Sequence, residues 1–154
     1  MNNLIKKADK LTRLGNIEQA INVLDDAENL PLVHPEVYVR KAIYMQLSSE
    51  NEKYNLKDIE GILKKALAID DEYINALIEL GDIYYIENEF KKAKEILNKA
   101  IKLNTSSIIE AVTLMAKCIE ESDSKEKAIK YLEDFKKNTF GNNKIDSLIK
   151  EFRN

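Results

Sequence analysis

The sequence predicts an all-α protein, an α-solenoid of about nine helices arranged as helix–turn–helix repeats. Helix breakers are scarce, because the 154 residues include four glycines and two prolines. An apolar frame also recurs, in which a small or branched residue is followed four and seven positions later by further apolar residues. The frame starts at residues 20, 59, 93 and 128, so successive copies are 39, 34 and 35 residues apart. A period near 34 with an apolar stripe in each half is typical of stacked helical hairpins.

The clearest copy spans residues 74–108. Its first half contains Leu77, Leu80, Gly81 and Tyr84, and its second half contains Phe90, Ala93, Leu97 and Ala100. At every one of these positions the copy resembles the tetratricopeptide repeat (TPR) pattern: large apolar, Leu-Gly, aromatic, aromatic, Ala, apolar, Ala. The resemblance implies a right-handed α-solenoid, in which the small residues at Gly81 and Ala93 let the two helices of a hairpin approach closely.

The frame divides the chain into one domain over residues 1–154, with repeats at about 1–34, 35–73, 74–108 and 109–142 and a capping helix at 143–154. The other copies depart from the pattern: lysines stand at the usual leucine position of the first two, Lys7 and Lys41, and Lys125 stands at an aromatic position of the fourth. Five extra residues near 48–55 predict a longer turn in the second copy.

The last segment and the glycines also have predicted places. Apolar residues spaced as on one helical face, Ile145, Leu148, Ile149 and Phe152, predict an amphipathic helix that covers the end of the last repeat. Gly15 is expected in the first turn between helices and Gly141 just before the cap. Gly61, inside a predicted helix, has no role that the sequence explains.

Composition excludes several classes of protein. The 24 basic and 27 acidic residues leave a net charge of −3, which argues against general attraction to nucleic acid or to an anionic membrane. The three arginines are far apart, so an RNA-binding surface is a minor possibility. No apolar run is long enough for a membrane span, and the first 14 residues lack the apolar block of a secretory signal, so we expect a cytoplasmic protein.

The sequence predicts no enzyme, no cofactor and no metal site. His34, the single histidine, lies between two prolines and is expected to be an exposed connector residue. Cys118, the single cysteine, falls inside a predicted helix and is expected to be a packed thiol; it has no second cysteine for a disulfide or a zinc cluster. The four glycines are isolated, so no phosphate-binding loop is present.

The resemblance implies that the first helix of each repeat lines a concave groove. The groove positions of the fourth repeat include Glu110, Thr113 and Leu114. Across the repeats we select the following candidate partner-binding residues: Arg40, Ile43, Leu47, Ile78, Glu79, Asp82, Tyr85, Ile86 and Lys117. Apolar groups in an exposed concavity usually contact a partner, so we predict a protein-binding scaffold or adaptor for an amphipathic or basic–apolar segment.

Family members that hold a terminal carboxylate use a clamp of lysine, arginine and asparagine. Here Ile5, Asp9, Arg40, Asn75 and Glu79 occupy those positions, so no carboxylate-clamp ligand is expected. Two other readings stay open at this point. The chain could be a dedicated small chaperone or immunity protein for a secreted effector or toxin, or a self-associating structural protein.

Overall fold

The computed structural model describes residues 2–48, 53–103, 108–138 and 143–154. Those residues form nine α-helices and no strand, which confirms the predicted all-α class. The helices are α1 (Asn2–Arg13), α2 (Ile17–Glu28), α3 (Pro35–Leu47), α4 (Leu56–Ile69), α5 (Ile74–Ile86), α6 (Phe90–Lys102), α7 (Ile108–Ser122), α8 (Lys125–Asn138) and α9 (Asn143–Arg153).

The helices stack as hairpins, and the stack has two unlike sides. Each odd-numbered helix from α1 to α7 packs against the helix that follows it, α2, α4 and α6 pack against the next hairpin, and α8 packs against the capping helix α9. The first helices also contact one another, α1 with α3, α3 with α5 and α5 with α7. The second helices α2, α4, α6 and α8 make no such contact in the described part of the chain. Closer spacing of the first helices curves the solenoid and places α1, α3, α5 and α7 on its concave side.

Buried leucines connect the hairpins into one continuous core, with Leu24, Leu63, Leu77 and Leu97 almost fully excluded from solvent. At the carboxyl end, the four apolar residues of α9 are all buried among residues of α7 and α8. The cap therefore covers apolar surface that the last hairpin would otherwise expose, as the sequence predicts.

Two glycines serve the roles that the sequence assigns to them. A Cβ atom on Gly81 would lie 2.7 Å from Cδ2 of Leu97 and 2.8 Å from its Cγ, so the close approach of α5 and α6 depends on the missing side chain. Gly15 has a φ of +80° in the turn between α1 and α2, a conformation that favours glycine. Gly141 lies outside the described residues.

The lysine at the leucine position of the second copy has an internal partner. The Lys41 side chain is 14% exposed, and its ammonium lies 2.5 Å from Oδ1 of Asp25 and also pairs with Glu28. Both carboxylates come from α2, so an ion pair between neighbouring hairpins takes the place of an apolar contact. The sequence pattern showed that Lys41 replaces the usual leucine, but it did not show that carboxylates of α2 pair with this lysine.

The longer turn of the second copy is attached to α2. Helix α3 ends at Leu47 and α4 begins at Leu56, as the extra residues predict. Ser48 Oγ donates to Oε1 of Glu18 at 2.5 Å, Tyr54 OH donates to Oε2 at 3.0 Å, and Lys53 pairs with the same carboxylate. Residues 49–52 lie outside the described part of the chain. The turn thus uses one carboxylate of the preceding repeat as its anchor.

Replacing Glu18 with alanine is expected to lower the free energy of unfolding by about 1 kcal/mol, because three donors lose a shared, partly exposed acceptor. Hydrogen bonds from Lys53 and Ser48 hold the pKa of Glu18 below its ordinary value of 4.5. The stabilisation is therefore present above pH 4.5 and is lost as the pH falls through the lowered pKa. Urea denaturation at neutral and at acidic pH measures both effects. Gln19→Ala, at the neighbouring exposed residue, is the control, and equal stability of both variants at neutral pH would contradict the anchoring role.

Candidate functional site

Two connected cavities lie on the concave side, over α3, α5 and α7. The larger measures about 330 Å³ and is lined by Ile78, Glu79, Asp82, Glu110, Thr113, Leu114 and Lys117. The smaller measures about 150 Å³ and is lined by Glu36, Val39, Arg40, Ile43, Asn75, Ile78, Glu79 and Glu110. Because Ile78, Glu79 and Glu110 line both, the two cavities form one depression, which we call the acidic groove.

Six of the nine candidate residues selected from the sequence line the acidic groove: Arg40, Ile43, Ile78, Glu79, Asp82 and Lys117. Ile78 is 4% exposed and forms its floor. The other three lie beside the groove. Leu47 and Ile86, at the carboxyl ends of α3 and α5, are 57% and 47% exposed. Tyr85 is half-buried, with its ring centroid 6.0 Å from that of Phe90.

The one arginine in the groove has its charge compensated within the fold. Nε of Arg40 donates to Oε1 of Glu36 at 2.7 Å, and its Nη1 lies 3.6 Å from Oδ1 of Asp9. Glu36 also accepts a hydrogen bond from Tyr73 OH at 2.6 Å, and Asp9 accepts one from Tyr44 OH. The network holds α1, α3 and the start of α5 together and leaves little positive charge for a ligand.

The carboxylates on the other side of the groove are poorly compensated. Burial raises the pKa of Glu79 to about 7, and repulsion from Asp82 and Glu110 adds to this effect. Gln46 Nε2 donates to Oε2 of Glu79 at 3.4 Å, near the long limit for such a bond. Burial also raises the pKa of Asp82, while the nearby Lys117 lowers it. A cation placed here would stabilise the ionised carboxylates.

Helix α7 contributes more residues to the acidic groove than the nine candidates selected from the sequence include. Glu110, Thr113 and Leu114 line the larger cavity beside Lys117. The repeat frame places all three on the groove side, so their position could be predicted from the sequence. Their burial and their distance from α5 depend on how the third and fourth hairpins pack, which the frame does not specify.

The single histidine and the single cysteine both occupy structural positions in the fold. His34 is exposed, as predicted, and also caps α3, because its Nδ1 accepts a hydrogen bond from the Glu36 N–H at 3.2 Å. Cys118 is fully buried, and burial raises the pKa of its thiol to about 11. Among the described residues, no group of three or more His, Cys, Asp or Glu side chains could hold a metal ion. Nor does any helix of the described chain have the length and apolar character needed to cross a membrane.

Comparison with known proteins agrees with the stacked hairpins. A family model described as tetratricopeptide repeat matches residues 52–118. The matched segment includes the clearest copy, all of α5 and the part of α7 that ends at Cys118. Residues 52–118 are thus similar in sequence to the tetratricopeptide repeat family. The chain's α-solenoid of helix–turn–helix units is the architecture that the resemblance implied.

Solved structures of tetratricopeptide repeat proteins have the same fold. MamA of Desulfovibrio magneticus RS-1 is 15% identical, with a TM-score of 0.71 over 96% of this chain and 74% of that one. PilF of Pseudomonas aeruginosa is 17% identical, with a TM-score of 0.78 over 98% of this chain and 66% of that one. A tetratricopeptide repeat protein of Thermus thermophilus is 14% identical, with a TM-score of 0.56 over 98% and 97%. At these identities the likeness concerns the fold alone.

One relative found by sequence comparison is not described as a tetratricopeptide repeat protein. The ATP synthase subunit delta of Clostridioides difficile is 28% identical over 148 residues, which cover 92% of this chain and 77% of the relative. An identity at this level carries no assignment of function to this chain.

Proposed function

We propose that this helical-repeat protein is a non-enzymatic scaffold that binds a basic–apolar segment of a partner protein in the acidic groove. The match of residues 52–118 to the tetratricopeptide repeat family and the shared fold support a protein-interaction role in general. The observation that carries the finer proposal is the meeting of half-buried, poorly compensated carboxylates with an apolar floor in one depression on the concave side. We further propose that the repeats end at about residues 34, 73, 108 and 142, and that the nine candidate residues selected from the sequence contact the partner.

The charge of the groove selects the chemistry of the segment. Arg40 is neutralised by Glu36 and Asp9, whereas Glu79 and Asp82 face a cavity in which Lys117 is the one cationic lining group. An arginine or lysine of the partner would offset the desolvation of these carboxylates, and the resulting charge-assisted hydrogen bonds would be stronger than neutral ones. An acidic segment would meet repulsion at the same place.

The exposed aliphatic side chains indicate where the apolar part of the segment would lie. Leu47 and Ile86 occupy the same position in successive repeats, at the ends of α3 and α5. About half of each side chain is exposed, so contact with an apolar residue would remove further surface from water. A segment with apolar and basic side chains on one face would reach both features.

Binding of two synthetic amphipathic peptides tests the proposal. One carries leucine and arginine, and the matched peptide carries glutamate in place of every arginine. Titration of the 15N-labelled protein should show that the arginine peptide shifts amide resonances of α3, α5 and α7 and that the glutamate peptide does not. Asp82→Lys should weaken binding of the arginine peptide at least about tenfold, because repulsion replaces attraction. Glu95→Lys, at an exposed carboxylate of α6, should leave it unchanged.

Equal binding of both peptides, or unchanged affinity in Asp82→Lys, would overturn the proposed groove. Light scattering at two protein concentrations separates the scaffold from a self-associating structural protein. A constant monomer mass supports the scaffold, whereas a mass that increases with concentration and an arginine peptide that no longer binds at the higher concentration would favour self-association through the groove.

A further inference from the structure

Gly61 is an exposed glycine in the interior of α4, and no contact within the protein requires it. A Cβ atom built on Gly61 meets nothing within 4 Å, in contrast to Gly81. Its φ is not in the left-handed region, so the backbone does not require glycine either. A glycine inside a helix makes the helix less stable than alanine does, because it has more backbone freedom to lose on folding. Neither the packing nor the conformation of this chain compensates for that loss.

The repeat frame shows that Gly61 is unusual among its equivalents. Each of the other second helices has a longer polar residue two positions after the start of the frame, namely Asn22 in α2, Glu95 in α6 and Lys130 in α8. All three are exposed. In α4 the same position carries no side chain, and the surface there is correspondingly open.

This opening is part of a cleft on the convex side, between α2 and α4. The cleft measures about 440 Å³, within the range of about 300–1,000 Å³ typical of ligand pockets. Its apolar lining comes from Ile21, Met45, Tyr54 and Ile62, and Gly61 lies among them. The backbones of α2 and α4 are not packed directly against each other, although the Lys65–Glu28 pair joins the two helices, so a side chain from another molecule could enter between them and reach the α4 backbone.

The charges around the cleft are unequally compensated. Asp25 pairs with Lys41, and the Asp58 carboxylate accepts a hydrogen bond from the Asn55 N–H at 3.1 Å as part of the capping box of α4. Lys65 pairs with Glu28 at 3.4 Å, and its ammonium lies 5.8 Å from the centroid of the Tyr38 ring. Lys57 is exposed, and no ion pair involves it in the part of the chain that the structure describes. Lys57 is therefore the cationic lining group that a ligand could pair with.

We propose that the Gly61 cleft is a second interaction surface, which takes an apolar side chain flanked by carboxylates from an acidic–apolar segment of a partner protein. The apolar side chain would lie over Gly61, against Met45 and Ile62, and a flanking carboxylate would pair with Lys57. The surface faces away from the acidic groove and favours the opposite charge, so one array would hold two segments of unlike chemistry.

The probe is the synthetic peptide acetyl-Asp-Glu-Leu-Phe-Asp-Glu-amide, with acetyl-Lys-Arg-Leu-Phe-Lys-Arg-amide as its charge-reversed counterpart. In titrations of the 15N-labelled full chain, the acidic peptide should shift the amide resonances of Met45, Tyr54 and Ile62, and the basic peptide should not shift them. Gly61→Leu should fill the cleft and weaken binding of the acidic peptide at least about tenfold. Glu95→Leu adds the same side chain at the equivalent position of α6 and should leave binding unchanged.

Two further variants separate a loss of peptide binding from a loss of protein stability. Lys57→Glu should weaken the acidic peptide without adding an apolar group, while Gly61→Ala should raise the urea midpoint because the helix gains stability in open space. Binding that survives both Gly61→Leu and Lys57→Glu would overturn the proposal, as would resonance shifts confined to α5 and α7. Failure at this cleft would leave the acidic groove untouched, because the two surfaces share no lining residue.

Discussion

Gly81→Val is expected to lower the free energy of unfolding by about 2–3 kcal/mol, as overpacking of a filled core typically does. The new Cβ would lie 2.7–2.8 Å from two atoms of Leu97, and Leu97 is fully buried, so its side chain has no free space to occupy. Urea denaturation measures the loss. Gly61→Val is the matched control, since a Cβ on Gly61 meets no atom within 4 Å and the effect should stay within about 0.5 kcal/mol.

A double-mutant cycle identifies the cause. Leu97→Ala alone should cost about 2–5 kcal/mol, because it leaves a cavity between α5 and α6. In that background the atoms that crowd residue 81 are gone, so Gly81→Val should cost much less or become stabilising. A coupling energy above about 1 kcal/mol is expected. Additive losses would show that the glycine is needed for another reason than its contact with Leu97.

Glu79→Gln is expected to stabilise the protein at pH 8 and to have a much smaller effect at pH 5. The pKa of Glu79 is about 7 in the folded chain, against an ordinary value of 4.5, so the folded state binds this proton more tightly than the unfolded state does. Its contribution is most favourable below pH 4.5 and is lost as the pH rises through 7. A neutral glutamine lacks this dependence, so its advantage should grow by about 1–2 kcal/mol between pH 5 and pH 8.

Urea denaturation of wild type and Glu79→Gln at the two pH values measures the difference, and NMR titration of the Glu79 carboxyl measures its pKa directly. The charged groups that line the groove with Glu79 are Asp82 on its own helix, Glu110 and Lys117 on α7, and Glu36 and Arg40 on α3, and Gln46 donates a hydrogen bond to Glu79. Glu95→Gln removes a carboxylate outside the groove and serves as the control. A pH-independent difference between Glu79→Gln and wild type would mean that the carboxylate is well solvated in the folded chain.

Ionisation of Glu79 should also affect binding of the arginine peptide. A cationic side chain in the acidic groove favours the ionised form of Glu79, so an arginine peptide should bind more tightly at pH 8 than at pH 6, with proton release on binding at the lower pH. Isothermal titration in two buffers of different ionisation enthalpy measures the proton release. Equal affinity at both pH values would place the peptide away from Glu79.

The helices and their order could be predicted because they depend on local periodicity. The i, i+3, i+4, i+7 spacing of the last apolar residues predicted α9, and the repeated frame located the hairpins even where Lys41 replaces the expected leucine. The close approach at Gly81 followed from the pattern as well, since that position is set by its distance along the same hairpin. Six of the nine candidate groove residues line the acidic groove for the same reason, because side-chain direction on a helix follows from position alone.

The groove's charge could not be predicted in this way. Arg40 reads as a basic contact in the sequence, yet Asp9, from another hairpin, and Glu36, on its own helix, compensate it in the fold. Burial of Glu79 and the contribution of Leu114 depend on how closely α7 packs against α5. The Arg40–Asp9 pair and the packing of α7 on α5 join residues about one repeat apart, and their distances are set by the placement of one hairpin on the next.

By itself, the sequence determined the helical class, the repeat period, the cap and which helix faces meet, because 3.6-residue periodicity and the size of single side chains are local properties. Only the tertiary structure decided which charges remain uncompensated, where the turn before α4 is anchored, and that Gly61 opens a cleft. Ion pairing and desolvation depend on distances of a few ångströms between separate hairpins, and those distances exist only once the array is stacked.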